Sequence, residues 1–269
     1  MRRSSTVGVA LAVMVTVGPA ASAQERALNQ GHPVRLDDAY PIAAGDATLL
    51  LDGGLRTQAQ SANRGVFPID AQYAILPNTQ LSVGSVLTTT PHETSSPGSG
   101  DLTVAARATL GRQSTFLPTM AAQVGVALPT GVGSRSVDVE LKGLATRSAT
   151  LGLLPMLFHL NAAAQFRATR PGSDEHLVRY RLVAGSSFAI PQQATTTVVG
   201  DVFADQALRR GQRETIGVEL GFRHRISPRI AFGGAVGTEI AGPRDRSPFF
   251  ATLGMSVDFD LPAFGKPPP

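Results

Sequence analysis

Apolar residues recur at every second position along most of the chain. Between positions 249 and 259, one parity carries Phe249, Ala251, Leu253, Met255, Val257 and Phe259, and the other carries Phe250, Thr252, Gly254, Ser256 and Asp258. Because successive side chains of a strand point to opposite faces, this run predicts a strand with one apolar face and one polar or small face. At helical spacing the same residues would scatter around the axis, so a strand is favoured.

The same alternation predicts about twelve strands in the whole chain. Their expected ranges are 47–57, 67–76, 80–88, 101–112, 117–128, 136–147, 155–168, 176–189, 194–204, 213–226, 229–240 and 248–259. Most of these ranges are close to the 9–11 residues that a tilted strand needs to cross a bilayer. Asp52-Gly53-Gly54 interrupts the first strand, and Pro68 removes one ladder hydrogen bond from the second.

Two kinds of connector alternate between these strands. The short turns are "LPNT" (76–79), "GRQST" (111–115), "IPQQAT" (190–195) and "ISPR" (226–229), and the longer polar segments are 57–66, 88–100, 129–135, 168–175 and 204–213. Short turns at one end and long loops at the other are typical of an outer-membrane barrel. We therefore expect an all-β fold, a transmembrane antiparallel up-and-down β-barrel. Alternation alone also fits a soluble sandwich, which needs neither this regularity nor such uniformly long strands.

The stretch "LFHLNAAAQFRA" (157–168) shows what the two faces of such a strand would meet. Phe158, Leu160, Ala162, Ala164 and Phe166 share one parity, whereas His159, Asn161, Ala163, Gln165 and Arg167 share the other. In a barrel the first face meets lipid and the second meets the lumen. The polar residues therefore recur at every second place because the strand has two surroundings.

The two ends of the chain have a different composition from the strands. Arg2 and Arg3, the apolar run 7–17 and the small residues of 21–23 predict a secretory signal peptide over 1–23, cleaved after Ala23. We expect 24–46 to be a periplasmic N-terminal segment, 47–259 to be the outer-membrane barrel and 260–269 to be a Pro-rich C-terminal tail.

Composition excludes several classes of protein. The chain has no Cys, which excludes a disulfide scaffold and a Cys-anchored lipoprotein. The net charge of +4 falls to +2 once the two signal-peptide arginines are removed, and no dense basic run with aromatics appears, so nucleic acid is not an expected partner. After the signal, no run of eighteen apolar residues occurs, which excludes a helical membrane protein.

Several short segments resemble one family. They are "VRLDDAYPI" (34–42), "GSGDLTVAARATL" (98–110), "VALPTG" (126–131), "FHLNAAAQF" (158–166), "DVFAD" (201–205) and "GFRHRISP" (221–228). In order and spacing they resemble the MetA-pathway of phenol degradation family of outer-membrane transporters. The resemblance implies a Gram-negative β-barrel that transports aromatic or hydrophobic compounds. The chain departs from the family after Phe259, because a ten-residue tail follows the position where the family ends on an aromatic residue.

Charged and polar residues on the inner parity are the candidate pore-lining groups. They are Arg107, Asp138, Glu140, Lys142, His159, Asn161, Arg167, Arg179, Arg181, Asp201, Glu219, Arg223, Arg225 and Glu239. One interpretation is a mixed-sign network that neutralises itself and fills a narrow interior. The other is that arginines on neighbouring strands select anionic or aromatic solutes. Small residues at 231, 233, 235 and 237 predict a crowded inner face.

Enzymatic alternatives have little support in the residues. His159 and Asn161 invite comparison with the outer-membrane phospholipase A family, but that family carries a serine two residues after its histidine, where this chain has Asn161. No G-x-S-x-G motif is present. The five histidines show no i, i+2 or i, i+4 pairing, so neither a metal nor a cofactor is expected.

The sequence thus predicts a monomeric outer-membrane channel, not an enzyme, in contact with outer-membrane lipid and conducting small hydrophobic or aromatic solutes by diffusion through a polar lumen. The alternative is a non-conducting structural or interaction barrel. A lipase-type enzyme is third.

Overall fold

The computed structural model describes residues 15–16, 34–59, 63–89, 100–132, 136–152, 154–168, 174–190, 193–244 and 246–260. Apart from the two-residue strand β1 (Val15–Thr16), these residues form twelve long strands. They are β2 (Asp46–Arg56), β3 (Arg64–Leu76), β4 (Thr79–Thr88), β5 (Leu102–Gly111), β6 (Thr119–Leu128), β7 (Asp138–Leu151), β8 (Leu154–Arg167), β9 (Val178–Ile190), β10 (Gln193–Asp205), β11 (Thr215–Ser227), β12 (Ile230–Ala241) and β13 (Phe250–Asp260).

The long strands close on themselves. Each pairs antiparallel with the next in sequence from β2 to β13, and β13 pairs back onto β2. The fold is therefore a closed twelve-stranded antiparallel up-and-down β-barrel, as expected, and a two-sheet sandwich is excluded. Each strand coincides with an expected one, and no end differs by more than four residues. The short β1 pairs with Thr150 and Leu151 at the end of β7.

The two ends of the barrel differ in the length of their connectors. One end, here called the turn end, has two-residue connectors at 77–78, 152–153, 191–192 and 228–229 and one longer connector at 112–118. The opposite end, the loop end, carries the connectors 57–63, 89–101, 129–137, 168–177, 206–214 and 242–249. This asymmetry agrees with the sequence pattern.

The outer face is apolar around the whole barrel. Large exposed side chains on this face come from every long strand, for example Leu55, Ile69, Val83, Val104 and Leu160. The inner face instead carries buried polar groups, so the expected assignment of the two parities is confirmed. The interruptions expected in β2 and β3 remove few ladder pairs. Both strands continue, and pairing is missing only at residues 52–53 of β2 and 67–68 of β3.

Residues 34–45, here called the lumenal segment, lie inside the barrel. Val34, Leu36, Ala39 and Ile42 are buried, and the backbone of the segment is hydrogen-bonded to the inner wall. The expectation that 24–46 lies in the periplasm is therefore wrong for this part. The physical reason is that the lumen offers both apolar contacts and hydrogen-bond partners to an extended chain, which water-filled space does not. Residues 24–33 lie outside the described residues.

Glycines on β11 and β12 make room for two buried aromatic rings. A Cβ built on Gly217 would lie 2.2 Å from the Phe203 ring, and one on Gly237 would lie 2.3 Å from the Phe250 ring. Each phenylalanine stands opposite its glycine in the ladder. Both rings pack with Val34, Leu36, Val183, Val199 and Ala235 in one apolar cluster. The crowded inner face expected from the small residues of β12 is confirmed.

In the described ranges, no helix is long and apolar enough to cross a membrane. The predicted signal peptide falls outside the described residues except for Val15 and Thr16, and so does the tail from residue 261 onward. The signal peptide and the Pro-rich tail therefore stay predictions.

Candidate functional site in the lumen

The lumenal segment is held by side chains of the wall that take the place of a neighbouring strand. Along the segment, four backbone N–H groups donate to wall oxygens: Arg35 to Glu219, Asp37 to Asn161, Ala39 to Thr146 and Ile42 to Gln80, at 2.8–3.2 Å. A buried peptide group without a partner is costly, so polar side chains are needed wherever the segment passes. In chain order the segment runs from the loop end, where Arg35 lies beside Asp205, to the turn end, where Ile42 lies beside Gln80.

Asn161 recognises one residue of the segment through both ends of its amide. Its Oδ1 accepts from the Asp37 N–H at 3.0 Å, and its Nδ2 donates to the Asp37 carbonyl at 2.9 Å. Asn161 is only 2% exposed, on the middle of β8. The pair of bonds reproduces the donor and acceptor pattern of a β-ladder. This explains why a buried strand position carries an amide rather than an apolar residue.

His159 connects two hydroxyl groups inside the wall. Its Nδ1 lies 3.1 Å from Thr146 Oγ1, and its Nε2 lies 3.1 Å from Ser187 Oγ. A serine within hydrogen-bond reach of a histidine is the arrangement of an activated nucleophile. Here, however, Ser187 is 1% exposed and Thr146 takes the place of an orienting carboxylate or amide. The hydrogen bond with His159 instead holds the Thr146 hydroxyl in position, where its oxygen accepts from the Ala39 N–H.

The acidic residue Asp37 of the segment meets a basic part of the wall. Its carboxylate pairs with Lys142 on β7 and lies 3.5 Å from Arg107 Nη2 on β5. Arg107 also donates to the Asp38 carbonyl at 3.5 Å and, through Nε, to Gln123 at 2.9 Å. These bonds fix the guanidinium against the segment. The Asp37 carboxylate thereby offsets part of the positive charge of this wall.

The basic residue Arg35 meets an acidic part of the wall. Its guanidinium pairs with Asp205 on β10, and its Nε lies 3.0 Å from Glu219 on β11. The guanidinium carbon also lies 3.7 Å from the centre of the Phe203 ring, a cation–π geometry. Arg35 and Asp37 thus face walls of opposite charge, which sets the depth and direction in which the segment lies in the lumen.

The expected pore-lining residues all lie on the inner face, but at different depths of burial. Buried are Arg107, Asp138, His159, Asn161, Asp201, Glu219, Arg223 and Glu239; half-buried are Glu140, Lys142, Arg167, Arg179 and Arg225; exposed is Arg181. Four of them contact the lumenal segment directly: Arg107, Lys142 and Asn161 contact Asp37 or Asp38, and Glu219 contacts Arg35. His159 reaches the segment only indirectly, through Thr146, which accepts from the Ala39 N–H.

Opposite charges on the rest of the inner face also pair with one another. Arg167 lies near Asp138 and Glu175, Arg181 bonds to Asp205, and Arg56 lies 3.4 Å from Glu239. These contacts agree with the interpretation of a mixed-sign network. They do not test whether the arginines select a solute.

The residues that sequence reasoning missed are those of the segment itself, Arg35, Asp37 and Asp38, together with Asp52 and Asp70 of the wall. A signal was present: Val34, Arg35, Leu36 and Asp37 alternate as a strand does, a short distance before β2. The polar flanks of this run favoured a position in water, because nothing in the sequence shows that the wall offers partners.

A cavity of about 320 Å³ remains beside the segment. Its lining combines apolar groups of Leu50, Pro68 and Ala105 with the carboxylates of Asp37, Asp52 and Asp70, and it is completed by polar residues of β3 to β6. This volume lies at the lower end of the range found for small-molecule sites. Among the described residues, no group of three or more His, Cys, Asp or Glu is placed to hold a metal ion.

Comparison with known proteins shows the fold. The COG4313 outer membrane channel from Pseudomonas putida F1 has a TM-score of 0.62 at 15% identity, covering 84% of this chain and 100% of that one. The NanC porin has a TM-score of 0.55 at 11% identity, covering 79% and 100%. The KdgM porin, solved with disordered oligogalacturonate, has a TM-score of 0.51 at 12% identity, covering 78% and 99%.

In sequence, no family profile and no curated protein matches the chain. The solved barrels therefore show the fold alone, and the resemblance to the phenol-degradation family stays a prediction.

Replacing Asn161 by Asp is expected to loosen the lumenal segment. The variant places a carboxylate oxygen against the Asp37 carbonyl where Nδ2 now donates, which costs about 1–3 kcal/mol of docking free energy. The measurement is the rate at which a thiol reagent modifies an Ala39→Cys reporter, since the chain has no other cysteine. Gln123→Glu is the matched control: it adds the same charge to the inner face, but its oxygen still accepts from Arg107. Equal labelling rates in both variants would contradict the role given to Asn161.

Proposed function

We propose that this protein is a channel of the bacterial outer membrane, whose lumen is narrowed by its own residues 34–45. The observation that carries the proposal is a closed barrel with an apolar exterior, a charged interior and a cavity beside the lumenal segment. An apolar outer face and a charged inner face are what a β-barrel needs when lipid surrounds it and a polar pore runs through it. We further propose that the barrel acts as a monomer.

The dimensions of the barrel support a position in a bilayer. Its long strands have 10–14 residues, at or above the length that a tilted strand needs to cross the hydrocarbon core. Exposed phenylalanines lie near strand ends, such as Phe166 and Phe259, and take the place of the tryptophans that the chain lacks. The three solved proteins of similar fold are named as an outer-membrane channel or as porins, which adds support to this role.

The cavity beside the segment supports small solutes of mixed character. Its apolar lining at Leu50, Pro68 and Ala105 suits an aromatic ring, and its amide and carboxylate groups suit a hydroxyl substituent. A phenol-sized molecule combines both features. The solute class proposed from the sequence, small hydrophobic or aromatic compounds, is thus compatible with the lining.

A non-conducting barrel is the second candidate, because the same segment also blocks part of the lumen. The two candidates differ in one measurable property, the ionic current through a single barrel. A barrel that serves only as a scaffold passes no current, whereas a narrowed channel passes a small current that a solute in its cavity reduces.

The test is conductance of the purified full chain in planar bilayers, with phenol and then a neutral sugar added. We expect discrete small channel events that phenol attenuates. Ala105→Phe fills the cavity and should abolish the phenol effect; Ala106→Phe, which adds the same ring to the outer face of the same strand, should not. Absence of channel events in every condition would overturn the channel, and equal phenol effects in both variants would overturn the solute site.

A further inference from the structure

A hollow lined by arginines lies outside the lumen, at the loop end. A cavity of about 680 Å³ opens between the connector β10–β11 (206–214) and the connector β12–β13 (242–249). Its lining includes Arg213, Arg244 and Arg246, together with backbone of Gly211 and Gly242. Three arginines therefore line one hollow at the loop ends of β11 and β12.

The backbone that carries these arginines is held in place from both sides. In the first connector, Arg210 N–H donates to the Asp174 carbonyl at 2.6 Å and the Leu208 carbonyl accepts from His176 at 3.0 Å. In the second, Ser247 N–H donates to Glu239 at 2.6 Å, and the Arg246 carbonyl accepts from Ala59 at 3.2 Å. The two connectors that border the cavity are thus held by hydrogen bonds to neighbouring parts of the barrel.

Among the described residues, no acidic side chain pairs with the arginines around the cavity. Within the part of the chain that the structure describes, the guanidinium groups of Arg213, Arg244 and Arg246 make no hydrogen bond or ion pair. Two described acidic side chains close to these arginines in sequence have other partners: Glu214 accepts from Tyr180, and Glu239 accepts from Ser247. By sequence, the two connectors carry five arginines against the two acidic residues Glu214 and Asp245.

We infer that this cavity is a binding site for phosphate-type oxyanions, held by Arg213, Arg244 and Arg246. Guanidinium groups present fixed pairs of donors that match the oxygens of a phosphate, and they are less strongly hydrated than ammonium groups. Three of them around one hollow favour a dianionic group over a single carboxylate. The cavity is larger than an inorganic phosphate, so it also accommodates a phosphate monoester on a larger molecule.

Two sources of the same chemistry are separable by experiment. One is a free phosphate or phosphate ester in solution; the other is the phosphate monoester of a lipid headgroup, which the loop end of a membrane barrel would meet at the bilayer surface. The oxyanion site itself does not rest on conduction through the lumen, so absence of a current leaves it standing.

The test uses the full chain in zwitterionic detergent and measures inorganic phosphate binding by calorimetry at constant ionic strength, with chloride as the reference anion. A second arm uses phosphatidylcholine nanodiscs with and without phosphatidic acid and follows the ³¹P line width of the monoester. We expect saturable binding in at least one arm. Binding only in the nanodisc arm assigns the lipid source.

The decisive variants are the triple variant Arg213→Gln/Arg244→Gln/Arg246→Gln and the matched control Arg210→Gln. Arg210 is exposed in the same connector but does not line the cavity. We expect affinity to fall about tenfold or more in the triple variant and to stay unchanged in the control. Absence of saturable binding by the native chain in both arms, or an equal loss in Arg210→Gln, would overturn the site. Circular dichroism of each variant verifies the fold.

Discussion

Deletion of residues 34–45 is expected to raise single-channel conductance severalfold. The segment occupies part of the lumen between β5, β7, β8, β10 and β11, and removing it frees that cross-section for water and ions. The barrel itself should stay folded, because every ladder between β2 and β13 is made without the segment. The freed wall charges can be hydrated. The measurement is planar-bilayer conductance at matched salt concentration.

Two controls separate a blocked lumen from a damaged barrel. A deletion of 24–33 shortens the chain while it leaves every described wall contact in place, and its conductance should equal that of the native chain. A synthetic peptide of residues 34–45, added to the deletion variant, should lower the current again, since the wall partners remain available to it. An unchanged conductance after deletion of 34–45 would show that the segment does not limit the current.

Replacing Gly237 by Val is expected to destabilise the barrel by about 1–3 kcal/mol or more, because overpacking a filled interior forces displacements of neighbouring groups. A Cβ at this position would lie 2.3 Å from the Phe250 ring and 2.7 Å from the Val218 carbonyl. Phe250 is 4% exposed and packs against Phe203 at 6.2 Å between ring centres, so it has little space to move. The measurement is the urea midpoint of unfolding in detergent, followed by circular dichroism.

Gly143→Val is the matched control for this substitution. Gly143 lies on the outer face of β7, and the nearest atom to its Cβ is the Ala162 carbonyl oxygen at 3.9 Å. The control should therefore leave the midpoint nearly unchanged. The double variant Gly237→Val/Phe250→Ala should lose less stability than the sum of the two single variants, because it removes the ring that the new side chain meets. Equal midpoints for Gly143→Val and Gly237→Val would contradict the packing argument.

The barrel could be predicted from the sequence because its two faces meet two different surroundings. Phe158 and Leu160 face outward, whereas His159 and Asn161 face the lumen. Because each strand repeats such an alternation, the positions of the strands and of their faces follow from the local pattern alone. The same holds for the inward glycines of β12. Turn lengths then follow from the gaps between strands.

The candidate site was only half predictable for a physical reason. Asn161 and Lys142 could be assigned to the inner face, but their partner Asp37 lies more than a hundred residues away in sequence. Long-range pairing of this kind leaves no periodic trace. The charges of Asp37 and Arg35 instead favoured a solvent-exposed position, because a charged side chain is buried only where groups of opposite charge surround it.

The anchoring of the lumenal segment by side chains also determines how it could leave. A ladder between two strands shares its bonds with a whole sheet, whereas the amides of Arg35, Asp37, Ala39 and Ile42 are each held by a separate side chain. Each anchor can exchange its bond for one to water without disturbing the next. Departure can therefore proceed stepwise, with a small barrier at each anchor, so that the time the segment stays bound can be tuned one wall residue at a time.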